Sequence, residues 1–171
     1  MKYSENTLEE KAIEQALGLI ATAIKTSPKS RGLNALKVIA LTDKEKNKLA
    51  KKMSTINKHP FPRDSKNIEK ADAIILIGMK TMHMGLNCGM CGYKDCADSQ
   101  GKKGHCIFNT IDLGIALGSA VSTISDLKID SRIMYSAGMT ARDMGLFPKE
   151  YRIVMGIPLS ISQKNIFFDR K

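Results

Sequence analysis

A single α/β or α+β domain over residues 1–171 is what the sequence predicts, and three observations predict it. Helix-like and strand-like periodicities alternate along the chain. A continuous β-branched run, Ala73–Met79, has the pattern of a strand buried on both faces. A long apolar stretch dense in small residues, Ile107–Ile124, reads as a central helix packed closely by its neighbours.

The elements follow in order. Thr7 and Glu10 form a capping-box pattern, and Ile13, Leu17, Ile20 and Ile24 recur behind them at helical spacing. Pro28 disfavours helix in the residue before it, so this helix should stop near Thr26–Ser27. Leu36–Leu41 is a short apolar strand, and Asp43 is placed to cap a charged helix running to about Met53. A loop with Pro60 and Pro62 leads into the Ala73–Met79 strand. After the central helix, "SRIMYSAGM" reads as a strand, "ARDMGLFP" as a short helix with a Gly and Pro stop, and "YRIVMGIP" as a last strand. Phe167 and Phe168 lie in a tail with no core of its own, so they need a groove in a monomer or a partner surface in a dimer.

A chain of 171 residues holds one sizeable core and is short for two. Tryptophan is absent and aromatic residues make up 5%, so Ile, Leu, Val, Met and Ala must form that core. The opening "MKYSENTLEEK" is polar and unlike a signal peptide, and the Ala73–Met79 run is far too short to span a bilayer. A soluble, cytoplasmic protein is expected. The net charge of +10 is concentrated in Lys44–Lys70 and reads as a solvated lysine face; neither a nucleic-acid partner nor a membrane is expected. A bound anionic cofactor would take up part of that charge.

All four cysteines fall between residues 87 and 106, spaced C-x2-C-x4-C-x9-C as Cys88, Cys91, Cys96 and Cys106. In the cytoplasm thiols stay reduced, so a metal or redox role is expected over disulfides. Three thiolates within nine residues face one point only if the backbone turns sharply, and Gly89 and Gly92 allow that. Lys94, Lys102 and Lys103 add positive charge around an anionic, sulfur-rich centre. An iron–sulfur cluster is the leading reading, 4Fe–4S ahead of 2Fe–2S. Structural zinc also takes four cysteines, though usually as two C-x2-C knuckles. A nucleic-acid-binding zinc knuckle shares the opening spacing but needs a histidine third, where this chain has Cys96. His83 and His105 flank the segment, and His105, next to Cys106, is the better placed to tune it.

"CGMCGYKDC" resembles the C-x2-C-G-x3-C iron–sulfur motif of anaerobic carbon monoxide dehydrogenase and corrinoid iron–sulfur proteins, over this segment only. The stretches "KTSPKSRGLNALKVIAL", "IDLGIALGSAVSTISDLKID" and "ARDMGLFPKEYRIVMGIP" resemble, in that order, a turn, the central helix and the C-terminal ending of nitroreductases. Together the two patterns are similar to a family of uncharacterised ferredoxin-domain proteins. This resemblance implies an α+β, three-layered nitroreductase-like fold, with a mixed central sheet flanked by helices and the cysteine loop inserted. It also implies a homodimer with flavin mononucleotide (FMN) at its interface. Lys29, Ser30, Arg31 and Asn34 would then lie where nitroreductases contact flavin, and Ser136, Ala137 and Gly138 where backbone N–H groups meet the ring. The arginine-rich opening with which that family grips the flavin phosphate is missing here.

The functional expectation is an iron–sulfur redox protein engaged in electron transfer or flavin-assisted reduction, with the acceptor and the catalytic residues unassigned. Its alternatives are a zinc-stabilised, non-catalytic binding module with a basic surface, and a redox or metal sensor on the same fold.

Overall fold

The computed structural model describes residues 2–168. Its elements run α1 (Glu5–Thr26), a 3-10 turn (Ser30–Gly32), β1 (Leu36–Thr42), α2 (Asp43–Ser54), α3 (Phe61–Lys70) and β2 (Ala73–Lys80). They continue with α4 (Cys96–Gly101), α5 (Ile107–Asp126), β3 (Asp130–Ser131), α6 (Tyr135–Asp143) and β4 (Tyr151–Ser160).

The sheet order is β1-β2-β4-β3. Every pairing is antiparallel, with Val38 opposite Ile77 and Ile75 opposite Ile157. The expected mixed sheet is therefore corrected to an antiparallel one, while the expected three layers are present. β2 explains them. Ile75, Ile77 and Met79 face a core shared with α1 and α5, and Ile74 and Leu76 face a second core shared with α2, α3 and α6. Alternate side chains of a strand point to opposite faces, so a strand covered on both sides must be apolar throughout. Ala73 to Met79 are indeed all buried.

Local differences from the expected elements have local causes. Ser4, not Thr7, caps α1: its Oγ accepts the Thr7 N–H at 3.3 Å, one turn earlier. Asp43 sits inside α2 with φ 43° and makes no side-chain cap. The segment with Pro60 and Pro62 begins α3, because the first helical turn needs no N–H from Pro62. The stretch expected as a strand over 131–139 keeps one strand residue, Ser131, and a bridge from Met134 to Gly156, then becomes α6. Gly138 is the reason α6 can lie so close to β4. A Cβ there would stand 1.8 Å from the Val154 carbonyl oxygen.

α5 is apolar enough by composition to cross a bilayer, with mean hydropathy 1.4. In this fold it packs on α1 and β2. It is not closely packed all round. Leu113, Ala116, Leu117, Ala120 and Ile124 are buried, but Ile111 and Ile115 are 40% and 39% exposed. In the tail, Phe167 is buried in the second core and Phe168 lies outside beneath the Arg132 guanidinium.

Candidate functional site

The cysteine segment leaves the body after β2 and returns at α5. Gly89 and Gly92 both adopt positive φ, 69° and 81°, and the Gly92 N–H closes the turn onto the Gly89 carbonyl at 2.9 Å. This turn holds Cys91, with Cys88 just before it. Asp95 caps α4 through the Asp98 N–H at 2.8 Å and so fixes Cys96 as the first helical residue. Asn87 clasps Cys96 from the other side: its Oδ1 accepts the Cys96 N–H at 3.0 Å, and its own N–H points to Cys96 Sγ at 3.4 Å. Cys106 is the N-cap residue of α5 and is buried, whereas Cys88 is exposed and Cys91 and Cys96 are half-buried.

Four unpaired thiols, one of them already receiving a backbone N–H, fit an iron–sulfur centre in donor type. The glycine turn fits it in freedom, since Gly92 has no neighbour within 4 Å of an added Cβ. The fold does not gather the thiols: among the described residues, no group of three or more His, Cys, Asp or Glu side chains is placed to hold a metal ion.

The charges around the segment are only partly free. Lys102 pairs with Asp98 at 2.8 Å, and this bond holds the Asp98 carboxyl below its usual range and the Lys102 ammonium above its own. His83, not His105, is tied into the segment, by a 2.9 Å hydrogen bond between its Nε2 and the Ser99 hydroxyl. His105 is exposed.

The residues expected at flavin are engaged within the protein. The Lys29 ammonium donates to the carbonyls of Ile24, Lys25 and Ser27 at 2.7–3.0 Å and closes the end of α1. Burial, with the nearby Lys25 charge, lowers its pKa. Ser30 gives both its N–H and its hydroxyl to Asp112, a fully buried carboxylate of α5. Arg31 donates to the Met84 carbonyl at 2.6 Å. Asn34 is exposed. In the opposite layer, the Ser136 hydroxyl donates to buried Asp64, whose other oxygen takes the Arg63 guanidinium. Ser30 and Ser136 thus belong to different layers, and one chain does not bring the two groups together.

Asp64, Asp112 and Asn109 were not singled out from sequence. The two in α5 carried a signal: a carboxylate and a carboxamide inside a strongly apolar helix must be satisfied internally. Asn109 meets half of that demand, accepting the Met82 N–H at 3.1 Å while its Nδ2 has no partner among the described residues.

The fold is that of the nitroreductases. A nitroreductase family protein from Clostridium novyi superposes with a TM-score of 0.65 at 15% identity, covering 89% of this chain and 77% of that one. A nitroreductase with bound FMN from Desulfitobacterium hafniense gives 0.58 at 14%, covering 96% and 81%. In sequence, residues 102–170 match the model of a family described as uncharacterised proteins containing a ferredoxin domain; this stretch includes Cys106 but not the other three cysteines. Over essentially its whole length, 99% of this chain and 98% of the other, the sequence is 36% identical to an uncharacterised protein of Archaeoglobus fulgidus. The chain therefore belongs to the family of uncharacterised proteins containing a ferredoxin domain, and it carries that family's sequence on a nitroreductase fold.

Proposed function

We propose that this protein is a cytoplasmic iron–sulfur redox protein in which Cys88, Cys91, Cys96 and Cys106 hold a 4Fe–4S cluster that serves electron transfer or reduction. The observation that carries the reading is the cysteine segment. It holds every thiol of the chain, unpaired, with one thiol buried at α5 and one already bonded through Asn87. A bound cluster supplies one-electron chemistry, at a potential set by hydrogen bonds to sulfur and by local charge. The chain supplies both. Asn87 orients Cys96, and Lys94 and Lys103 leave positive charge on the segment.

A homodimer belongs to the proposal. α5 presents Ile111 and Ile115 with Gly114 and Gly118 beside them, and neither glycine has a neighbour within 4 Å of an added Cβ. An apolar helix face with small residues is a surface that a second copy could approach closely. FMN is the finer part of the reading. The FMN-bound relative in fold supports it, and two copies are needed to unite the Ser30 turn with the Ser136 turn. Lys29, its ammonium held by three carbonyls, is not free to grip the flavin phosphate, and Arg31 spends one guanidinium nitrogen on the Met84 carbonyl.

The test is anaerobic purification with a visible spectrum and with iron, sulfide, zinc and flavin measured on one sample. Iron with matching sulfide is the expected result. Zinc without iron would overturn it and make the chain a zinc-stabilised binding module.

A further inference from the structure

A cavity of about 450 Å³ opens beside the cysteine segment, between the end of β2 and the turn that follows α4. Thr81, His83, Gln100, Lys103, Gly104 and Arg152 line it. Its charged groups are all basic. Of the described arginines, Arg31, Arg63, Arg132 and Arg142 each donate a hydrogen bond through the guanidinium; Arg152 alone has no acceptor. Lys103 likewise has no ion pair among the described residues, and Asp98 of α4 is engaged by Lys102.

The wall that carries Lys103 is well determined. Lys103 adopts φ 55° and donates its N–H to the Gln100 carbonyl, and the Gly104 N–H bonds the Ser99 carbonyl at 2.8 Å. A Cβ on Gly104 would stand 2.6 Å from the Tyr93 ring and 2.7 Å from the Ser99 hydroxyl, so the turn is packed shut behind the cavity. The His83 ring is held by that same hydroxyl. Behind the cavity, the Asn109 Oδ1 accepts the Met82 N–H at 3.1 Å and fixes the Thr81–Met82 step of its wall.

We propose that this cavity is a binding site for a small molecule bearing an oxyanion, a phosphate or a carboxylate, with Arg152 as its forked donor and Lys103 as its second cation. A guanidinium fork matches two oxygens of one oxyanion, and an ammonium adds a point charge. The volume is that of a small-molecule site. Lys103 and Gly104 lie between Cys96 and Cys106, so the ligand sits against the thiol segment, whatever the thiols hold.

The experiment is calorimetric titration of the anaerobically purified protein with inorganic phosphate and, separately, with succinate, at an ionic strength kept constant with sodium chloride. At least one anion should bind saturably, one per chain, and the tighter of the two names the ligand's charged group. Arg152→Gln should weaken it about tenfold or more, and Lys103→Gln severalfold. Lys51→Gln with Lys52→Gln removes two exposed charges from α2 and should leave it unchanged. Both cavity variants alter exposed side chains, so their circular dichroism should match the parent. Absence of saturable binding, equal weakening in the α2 variant, or wild-type binding by Arg152→Gln overturns the site. Iron measured on the same samples separates this outcome from the cluster reading: anion binding without iron leaves the site standing and removes the cluster.

Discussion

Gly138→Ala should cost this protein a large part of its stability. The added Cβ would lie 1.8 Å from the Val154 carbonyl oxygen, 2.3 Å from its carbon and 2.7 Å from the Met155 nitrogen. Real Cβ atoms essentially never come within 3.0 Å of such atoms, so α6 must withdraw from β4 by more than 1 Å. The obstacle is backbone, and no side chain can rotate away to relieve it. Withdrawal loosens Met134, Ala137 and Ala141, all 2% exposed or less, from the second core. Overpacking of a tight core costs about 1–3 kcal/mol and the loosened contacts add to it, while alanine's better helix propensity returns about 1 kcal/mol. The net loss should be about 2–4 kcal/mol, against a total of about 5–15 kcal/mol for a domain. Urea unfolding followed by far-UV circular dichroism should show the midpoint falling by about 1–2 M. Gly118→Ala is the control, since it adds a methyl to an open helical position and should stabilise the monomer by up to about 1 kcal/mol. A midpoint for Gly138→Ala within about 0.2 M of the parent would refute the close approach of α6 to β4. It would return Gly138 to a role in ligand contact alone.

Three further outcomes follow. Cys106→Ser should lose bound iron yet keep its unfolding free energy in urea within about 1 kcal/mol of the parent, because serine is a favoured N-cap residue at the start of α5; retained iron would remove Cys106 from the ligand set. Ile115→Glu should yield a monomer by analytical ultracentrifugation wherever the parent sediments as a dimer, and an unchanged dimer would move the interface off α5. Lys46 is buried with its ammonium on the Ile68 and Glu69 carbonyls, and burial lowers its folded pKa below 10.5, partly offset by Asp72, Asp43 and Glu69. Between that lowered value and 10.5 the unfolded chain binds more protons than the folded one, so stability rises with pH across this window. Lys46→Met should flatten the rise in urea midpoint, and parallel profiles would exclude Lys46 as its source.

What the sequence made legible was whatever a single segment decides by itself. β2 was readable because burial on both faces demands an unbroken apolar run, and the thiol set because all four cysteines lie in one short segment. The turn at Lys29–Arg31 was readable as a turn; its partners were not. Ser30 meets Asp112 across 82 residues and Arg31 meets Met84 across 53, and no local pattern announces either. α3 was hidden because prolines that open a helix look, residue by residue, like prolines that end one. Residues 131–139 misled because their apolar content suits a strand, while Ser136–Gly138 are small for a tertiary reason, the nearness of β4. The basic cavity had no sequence signature at all, since Lys103 and Arg152 meet only through the packing of the α4 turn against the end of β2.

The four cysteines are not equivalent, and the difference bears on what a bound centre does for this protein. Cys96 is held by Asn87 and α4, and Cys106 by burial at α5; Cys88 and Cys91 ride on a glycine turn. Closing the set around one centre therefore orders about five residues, 88–92. At about 1–2 kcal/mol each this costs about 5–10 kcal/mol, within the 10–16 kcal/mol that a structural zinc supplies in small fingers. Such fingers unfold without metal because they have no other core. Here neither core includes a residue between 87 and 106. A metal bound by these thiols would thus not be what holds the fold together, which is the arrangement expected of a centre whose chemistry is the point. Chelation under reducing, anaerobic conditions should remove the centre and leave the far-UV spectrum and the urea midpoint of the cores nearly unchanged. Loss of helical signal on chelation would refute this and make the segment a structural staple.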